Sequence, residues 1–483
     1  MRIPILLALV ALVIESAAFA GVDARDADPP NIILIVADDL GWAELGCYGQ
    51  TKIRTPNIDR LANEGVRFMQ FYSGSPVCAP SRCVLLTGRH PGHAYIRDNK
   101  EMGGWGPDER EGQLALPAGT TTIGTLLQDA GYTTACIGKW GLGGPGTSGE
   151  PNEQGFDHWF GYLCQRVAHN YYPTHLWRNG DRVPLDGNEW GNLVGDAYAP
   201  DLMIDEAIEF VDDHHDEPFF LYYATPVPHL ALQVPEDSLR EYESTWPDPP
   251  YEGSKGYLPH DSPRAAYAAM VTRMDAHVGR LLDRLVDLKV DERTIVLFTS
   301  DNGATFDIGG ADSPFFESAG PFRGRKGSVF EGGLRVPLVA RWPGRIPAGY
   351  ETDHLAAFWD VLPTFCEIAG VDAPEDSDGL SFLPTLLDNG LQSEHDYLYW
   401  EFPGYGSQQA VRIGPWKGVR RNLRRGEERL MLFNLNDDPG ESRDVAGEHP
   451  DVVERMREIL REAHVPSEEF PLWGVDTRAP SDP

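Results

Sequence analysis

Four short apolar runs, each ending in residues that can do chemistry, constrain this chain more than any other feature. Ile32-Ile33-Leu34-Ile35-Val36 is continuous and rich in β-branched residues, the pattern of a strand buried on both faces of a parallel sheet. It stops at Ala37-Asp38-Asp39-Leu40-Gly41. Residues 294–299 repeat the pattern and stop at Ser300-Asp301-Asn302-Gly303. Phe219–Ala224 leads into Pro226-Val227-Pro228-His229, and residues 133–137 lead into Gly138-Lys139-Trp140. Helical patterns lie between these runs. Thr55-Pro56 reads as an N-cap and first helical residue, with Gly65 as the stop. Residues 122–130 closed by Gly131, 203–214 and 267–288 are three more. Strands alternating with helices predict an α/β fold, a large and mostly parallel sheet covered on both faces. Such sheets bind ligands beyond the carboxyl ends of their strands, where Asp38, Asp39, Lys139, His229, Asp301 and Asn302 fall.

Length fits this picture. The 483 residues suit one large α/β core with a smaller appendage. Proline, aspartate, glycine and serine accumulate over residues 371–396, which marks a boundary. Residues 21–375 are expected to form the main domain and 376–483 a C-terminal α+β subdomain with a tail. Within that subdomain residues 397–402, 410–419 and 429–435 read as strands of a small antiparallel sheet, residues 451–464 as an amphipathic helix, and 476–483 as a loose tail.

Residues 1–20 read as a secretory signal. Arg2 supplies the positive start, residues 3–14 the apolar run, and Ala18-Phe19-Ala20 the small-x-small cleavage pattern. No later segment has eighteen consecutive apolar residues, so an exported chain, periplasmic or secreted, with no stable membrane insertion is expected. Export permits disulfides, and the six cysteines leave their pairing open. Lys and Arg total 41 against 74 Asp and Glu, a net charge of −33. That balance argues against nonspecific binding of nucleic acid or anionic membranes. An anionic substrate would need a local basic pocket.

Asp38, Asp39, Asp301 and Asn302 are oxygen donors. They suit a hard cation such as Ca²⁺ or Mg²⁺, or they are two solvated turns. The segment Ser75-Pro76-Val77-Cys78-Ala79-Pro80-Ser81-Arg82 is more informative. Pro80 fits a first helical position and Gly88 a C-terminal stop. Cys78 then lies just before a helix N-terminus, where free N–H groups favour an anion, and Arg82 lies about one turn on. Two roles fit Cys78: a nucleophile at an anion site, or a structural cysteine.

In this context the chain resembles the sulfatases of the alkaline phosphatase superfamily. The residues that carry the resemblance are Cys78-Ala79-Pro80-Ser81-Arg82, which match the C-x-P-S-R signature, followed by Thr87-Gly88-Arg89. Residues 31–40, Thr55-Pro56-Asn57-Ile58-Asp59-Arg60-Leu61, Gly138-Lys139-Trp140 and Ser300-Asp301-Asn302-Gly303 match too. So do Phe322-Arg323-Gly324-Arg325-Lys326-Gly327, Glu331-Gly332-Gly333 and Arg335-Val336-Pro337. The match runs from about residue 30 to the C-terminus.

The resemblance implies an alkaline-phosphatase-like fold and a sulfuric ester hydrolase acting on a sulfated carbohydrate. Cys78 would be converted to formylglycine by a formylglycine-generating enzyme, and its hydrate would be the nucleophile. Asp38, Asp39, Asp301 and Asn302, with residue 78, would hold one Ca²⁺. Arg82 would orient the nucleophile, Lys139 and Lys326 would contact the sulfate, and His229 would protonate the leaving alcohol. One position departs from the family pattern: the histidine that often follows Gly-Lys-Trp is Gly141 here. That departure leaves open a sulfated-glycan-binding protein without turnover, and the shared fold leaves open a phosphoesterase relative, against which Cys78 in place of the usual serine or threonine argues. Residues 165–178 include His169, Tyr171, Tyr172, His175, Trp177 and Arg178. With His93, Arg97 and Asn99 they are candidates for lining the substrate pocket, Arg97 and Arg178 as contacts to an anionic group.

Overall fold

The computed structural model describes residues 29–477 except 105, 107, 108 and 255. The signal segment at residues 1–20 lies outside the described residues, as do the last six residues of the tail. The main sheet contains β1 (Asn31–Ala37), β2 (Val66–Tyr72), β3 (Thr133–Lys139), β4 (His158–Tyr162), β5 (His175–Arg178), β6 (Asp181–Pro184), β7 (Phe219–Ala224), β8 (Thr294–Ser300), β9 (Arg335–Arg341), β10 (Tyr350–Thr352) and β11 (Ala356–Ala357). Its order is β10-β2-β9-β8-β1-β7-β3-β4-β5-β6, with β11 beside β2. The run β8-β1-β7-β3-β4 is parallel throughout. β9 joins it antiparallel to β8, and β5 and β6 close the far edge antiparallel.

The four apolar runs are β1, β3, β7 and β8, neighbours at the centre of this sheet. Every residue of β1, β7 and β8 is buried. Alternate β1 side chains enter two different cores: Ile32, Leu34 and Val36 one, Ile33 and Ile35 the other. Each fully buried aliphatic side chain contributes about 1.5–3 kcal/mol. Because the four strands run parallel, their carboxyl ends meet along one edge. Asp38, Lys139, His229 and Asp301 are brought together by topology alone.

The helices cover both faces. Pro56–Asn63, Ile123–Asp129, Ala199–His214 and Pro263–Asp287 occupy the predicted stretches. Thr122 caps its helix by accepting from Thr125 N at 3.1 Å, a local contact that fixes the start. The helix after β2 begins earlier than its sequence suggested, at Cys78 and not at Pro80. Val77 is extended and serves as the N-cap, and Pro80 is tolerated in the first turn because an N–H there has no intrahelical partner anyway. Gly88 ends the helix in the left-handed region, φ 66°, as a C-terminal glycine does.

The second sheet is antiparallel, β12 (Leu398–Phe402), β13 (Gln408–Ile413), β14 (Trp416–Arg420) and β15 (Met431–Asn434), with helix Pro450–Glu462 packed on it. The stretch 410–419 is therefore two strands and not one. Gly414-Pro415 turns the chain between them, with Gly414 at φ 52°. A buried ion pair joins this sheet to the main body, Lys417 Nζ on Glu331 Oε1 at 2.7 Å. At the start of the tail Asp476 is tied down, accepting from Leu472 N at 2.7 Å.

Candidate active site

Helix Cys78–Thr87 points its first turn at the carboxyl edge of the sheet. Cys78 Sγ lies 3.7 Å from Lys139 Nζ and 3.6 Å from Lys326 Nζ. Lys139 is the last residue of β3. Lys326 comes from the loop before β9, held there by its own N–H donating to Ala304 O at 2.9 Å and by Gly327 N–H donating to Pro76 O at 2.8 Å. Burial pushes the Cys78 thiol up to about 11, with the two lysines pulling it back. The group is thus a protonated thiol near neutral pH, a weak nucleophile as it stands. All six cysteines are free thiols, so no disulfide claims it.

The acidic side of the site is dense. Asp38, Asp39 and Asp301 are all buried, with relative exposure of 0–1 %. Each faces one cation. Lys139 bonds Asp38 Oδ2, Lys326 sits 2.8 Å from Asp39, and Arg82 holds Asp301 Oδ2 through Nε at 3.0 Å and a terminal nitrogen at 2.8 Å. Burial drives Asp301 up to about 7, reinforced by Asp38 and opposed by Arg82. Burial also raises Asp39, against Lys326. Asp38 is held well below the ordinary carboxylate range: burial would raise it, but Lys139, His229, Arg82 and Lys326 together outweigh that. Asp39 adopts φ 67°, left-handed for a non-glycine residue. There its N–H donates to Asp301 Oδ1 at 3.1 Å.

Two oxygens in this cluster are unmatched. Asp38 Oδ1 and Asn302 Oδ1 are buried and have no hydrogen-bond partner among the described residues. Buried polar atoms are nearly always paired, so orphaned acceptors converging on carboxylates fit a cation better than a solvated turn. Asp38, Asp39, Cys78 and His229 offer ligand atoms within 4.8 Å of one another. The donor set is oxygen-rich, as a hard divalent cation requires.

His229 follows β7. Its Nδ1 is 2.6 Å from Leu230 O. A carbonyl only accepts, so the proton sits on Nδ1 and Nε2 is left facing the site, 3.5 Å from Asp39 Oδ2. Burial, with Lys326 and Lys139, lowers its pKa well below the ordinary histidine value. A second imidazole, His169, stacks on His229 with ring centroids 4.5 Å apart and planes 14° from parallel. Sequence placed His169 in a polar and aromatic loop, and no local pattern tied it to His229, sixty residues away.

Gly141 has φ 90°. A Cβ there would overlap the side-chain amide of Gln165. A histidine at this position would have to displace the Gln165 amide and adopt a left-handed backbone that side chains rarely take. His169 places a second imidazole against His229.

Two pocket candidates lie elsewhere. Arg97 is 4 % exposed and is committed to structure: it binds Glu401 on β12 at 2.7 Å and the carbonyls of Ala94 and Val465 at 2.8 and 2.6 Å. It links the loop after helix Cys78–Thr87 to β12 and to the segment after helix Pro450–Glu462. Arg178 ends β5, which runs antiparallel to β4 and so away from the site. It binds Glu206 at 2.9 Å, toward the edge where β4 begins. Several other aromatic-loop residues pack inward. His175 and Trp177 both meet Glu111, at 2.7 and 2.6 Å, and Tyr171 and Tyr172 are buried against Tyr198. His93 contacts Asp378 at 2.9 Å. Asn99 does reach the site, its Oδ1 accepting from Ala79 N at 3.1 Å.

Comparison with known proteins agrees with this geometry. The sulfatase family profile matches residues 30–371, and that of the N-sulphoglucosamine sulphohydrolase C-terminal region matches 323–465. Human N-acetylgalactosamine-6-sulfatase is 32% identical over 91% of this chain and 87% of its own length. The N-acetylgalactosamine-6-O-sulfatase of Bacteroides thetaiotaomicron is 29% identical over 91% of this chain and 94% of its own. Among solved structures, Ps i-CgsB in complex with k-i-k-neocarrahexaose superposes with a TM-score of 0.75 at 30% identity, covering 90% of this chain and 93% of that one. With most of its length matched by one family and its strand ends arranged as that resemblance implied, the chain belongs to the sulfatases, the sulfuric ester hydrolases of alkaline-phosphatase-like fold.

Proposed function

We propose that this protein hydrolyses sulfate monoesters of carbohydrates, with residue 78 as nucleophile in its formylglycine form and one Ca²⁺ held by Asp38, Asp39, Asp301 and Asn302. The pair of orphaned oxygens, Asp38 Oδ1 and Asn302 Oδ1, beside a cysteine flanked by two lysines carries this reading. The cation, when bound, supplies positive charge to a sulfate oxygen and to the hydroxyl of residue 78. Lys139 and Lys326 neutralise the remaining sulfate oxygens, a preorganised field that needs no rearrangement during reaction. Arg82 holds Asp301 in place and carries positive charge beneath the nucleophile. His229, whose Nε2 is unprotonated and faces the site, takes up a proton when the negative charge of the sulfate ester is bound beside it and delivers that proton from Nε2 to the departing alcohol oxygen.

Several observations around the site support the wider reading. Sulfated sugars suit the named relatives, the N-acetylgalactosamine 6-sulfatases. Residues 21–375 carry all the proposed site residues, and 376–483 form the subdomain. Export through the 1–20 segment would deliver the enzyme to the periplasm or outside the cell, after a formylglycine-generating enzyme has acted on Cys78. No helix among the described residues is long and apolar enough to cross a membrane.

Side-by-side turnover of a sulfate and a phosphate monoester of the same alcohol separates this reading from a phosphoesterase. The sulfate ester is expected to be preferred by at least tenfold in kcat/KM. Preference for phosphate would overturn it, and saturable sugar binding without sulfate release would favour the binding-protein reading.

A further inference from the structure

Two tyrosines on separate loops lie near the same catalytic groups. Tyr257 feels the charges of Lys326, Asp39 and Cys78, and its ring lies 5.2 Å from His169 and 6.2 Å from His229. Tyr405, between β12 and β13, feels Lys326, Cys78 and Asp39 as well. Its ring rests on Gly327, leaving no room there for a Cβ. Both hold left-handed backbone conformations, φ 64° and 47°. Such conformations are uncommon for bulky residues and cluster where a site needs them. Tyr405 is nonetheless 63% exposed, so the strain does not serve core packing.

Asp98 completes the group. A Cβ at Gly404, the residue before Tyr405, would come within 2.9 Å of Asp98 Oδ2, and Asp98 is among the groups whose charge Tyr405 feels. The next residue, Asn99, binds Ala79 N beside the nucleophile. Asp98 Oδ1 accepts from Asn99 N–H at 2.7 Å, and no ion pair to this carboxylate occurs among the described residues. Burial pushes its pKa up to about 6.

The geometry points to a sugar subsite: we propose that Asp98 and Tyr405, with Tyr257, bind the ring that bears the sulfate, and that they select an uncharged sugar carrying a single sulfate. This deepens the sulfatase reading and rests on it. Tyrosine rings offer flat apolar faces to sugar C–H groups and a hydroxyl at the rim. A carboxylate without a cation accepts strongly from sugar hydroxyls, and it repels a second sulfate or a uronate placed beside it. A subsite built to receive a further anion would present an arginine or lysine where Asp98 stands.

The test compares kcat/KM on galactose and N-acetylgalactosamine monosulfates with kcat/KM on 4-nitrophenyl sulfate, in wild type, Asp98→Asn, Tyr405→Ala and Tyr405→Phe. The ratio of sugar to aryl ester is expected to fall about tenfold or more in Asp98→Asn and Tyr405→Ala, chiefly through KM, and to be largely restored by Tyr405→Phe. Wild type is expected to prefer monosulfated over disulfated sugars, and Asp98→Asn to narrow that preference. Unchanged ratios, or a wild-type preference for disulfated sugars, would overturn the subsite. Calorimetric titration of the same sugars into Cys78→Ala, alone and combined with Asp98→Asn, reads the subsite without turnover. Loss of affinity in the double variant sustains it even if the hydrolytic reading fails, and equal affinity overturns it.

Discussion

Alanine at Cys78 is expected to abolish sulfate release, lowering kcat by about 10⁴-fold or more, as removal of a nucleophile does. Among the described residues the side chains beside Sγ are two lysines, two carboxylates and His229, none of which can become a formylglycine hydrate. The neighbours of Sγ are Lys139 and Lys326, both engaged with carboxylates, and His229 keeps its Nδ1 proton on Leu230 O. The loss should be in kcat, with sugar affinity largely retained, because the lysines and the proposed cation remain. Release of sulfate from a sulfated sugar, followed by ion chromatography, reads the effect. Turnover within tenfold of wild type would remove Cys78 from the chemistry.

Arg82→Ala is expected to cost about 3–5 kcal/mol of folding stability, read from the midpoint of urea unfolding. Arg82 and Asp301 have side-chain exposures of 1% and 0%. Their attraction replaces hydration that burial has removed, so deleting the arginine leaves Asp301 uncompensated beside Asp38 and Asp39. The three carboxylates are matched by three cations, Arg82, Lys139 and Lys326, and each removal unbalances the set. Ca²⁺ is expected to raise the thermal midpoint of the wild-type protein and to raise that of Arg82→Ala further, since the variant carries one more unmatched charge. A variant within 1 kcal/mol of wild type would show that water or a shifted pKa absorbs the charge.

Much of the site was legible because parallel strands are buried on both faces. Continuous apolar runs located β1, β3, β7 and β8, and parallel topology turned four separate strand ends into one edge. Antiparallel β9 carries no such continuous apolar run, because Arg335, Pro337 and Arg341 interrupt it. The hairpin between β13 and β14 was missed although Gly414-Pro415 signals a turn, because apolar residues flank it closely. Thr55 looked like an N-cap, and its helix does start at Pro56. Its hydroxyl instead accepts from Gly46 N at 2.8 Å and contacts Asp59 at 3.1 Å.

Side-chain partners distant in sequence were the harder part. An arginine after a nucleophile helix looks available until Glu401 is known to lie against it, and the same holds for Arg178 with Glu206. Gly141 is the converse case. It suggested a missing group, whereas the site holds Gln165 in that space and His169 stacked on His229. Neither follows from periodicity or capping. Both depend on how the 163–170 segment returns over the carboxyl edge of the sheet.

The most direct test is the mass of the proteolytic peptide containing residue 78. The protein should be purified from its own host or made together with a formylglycine-generating enzyme. The account predicts an aldehyde at that position. An unmodified thiol, or a disulfide to another cysteine, in protein made under those conditions would contradict it.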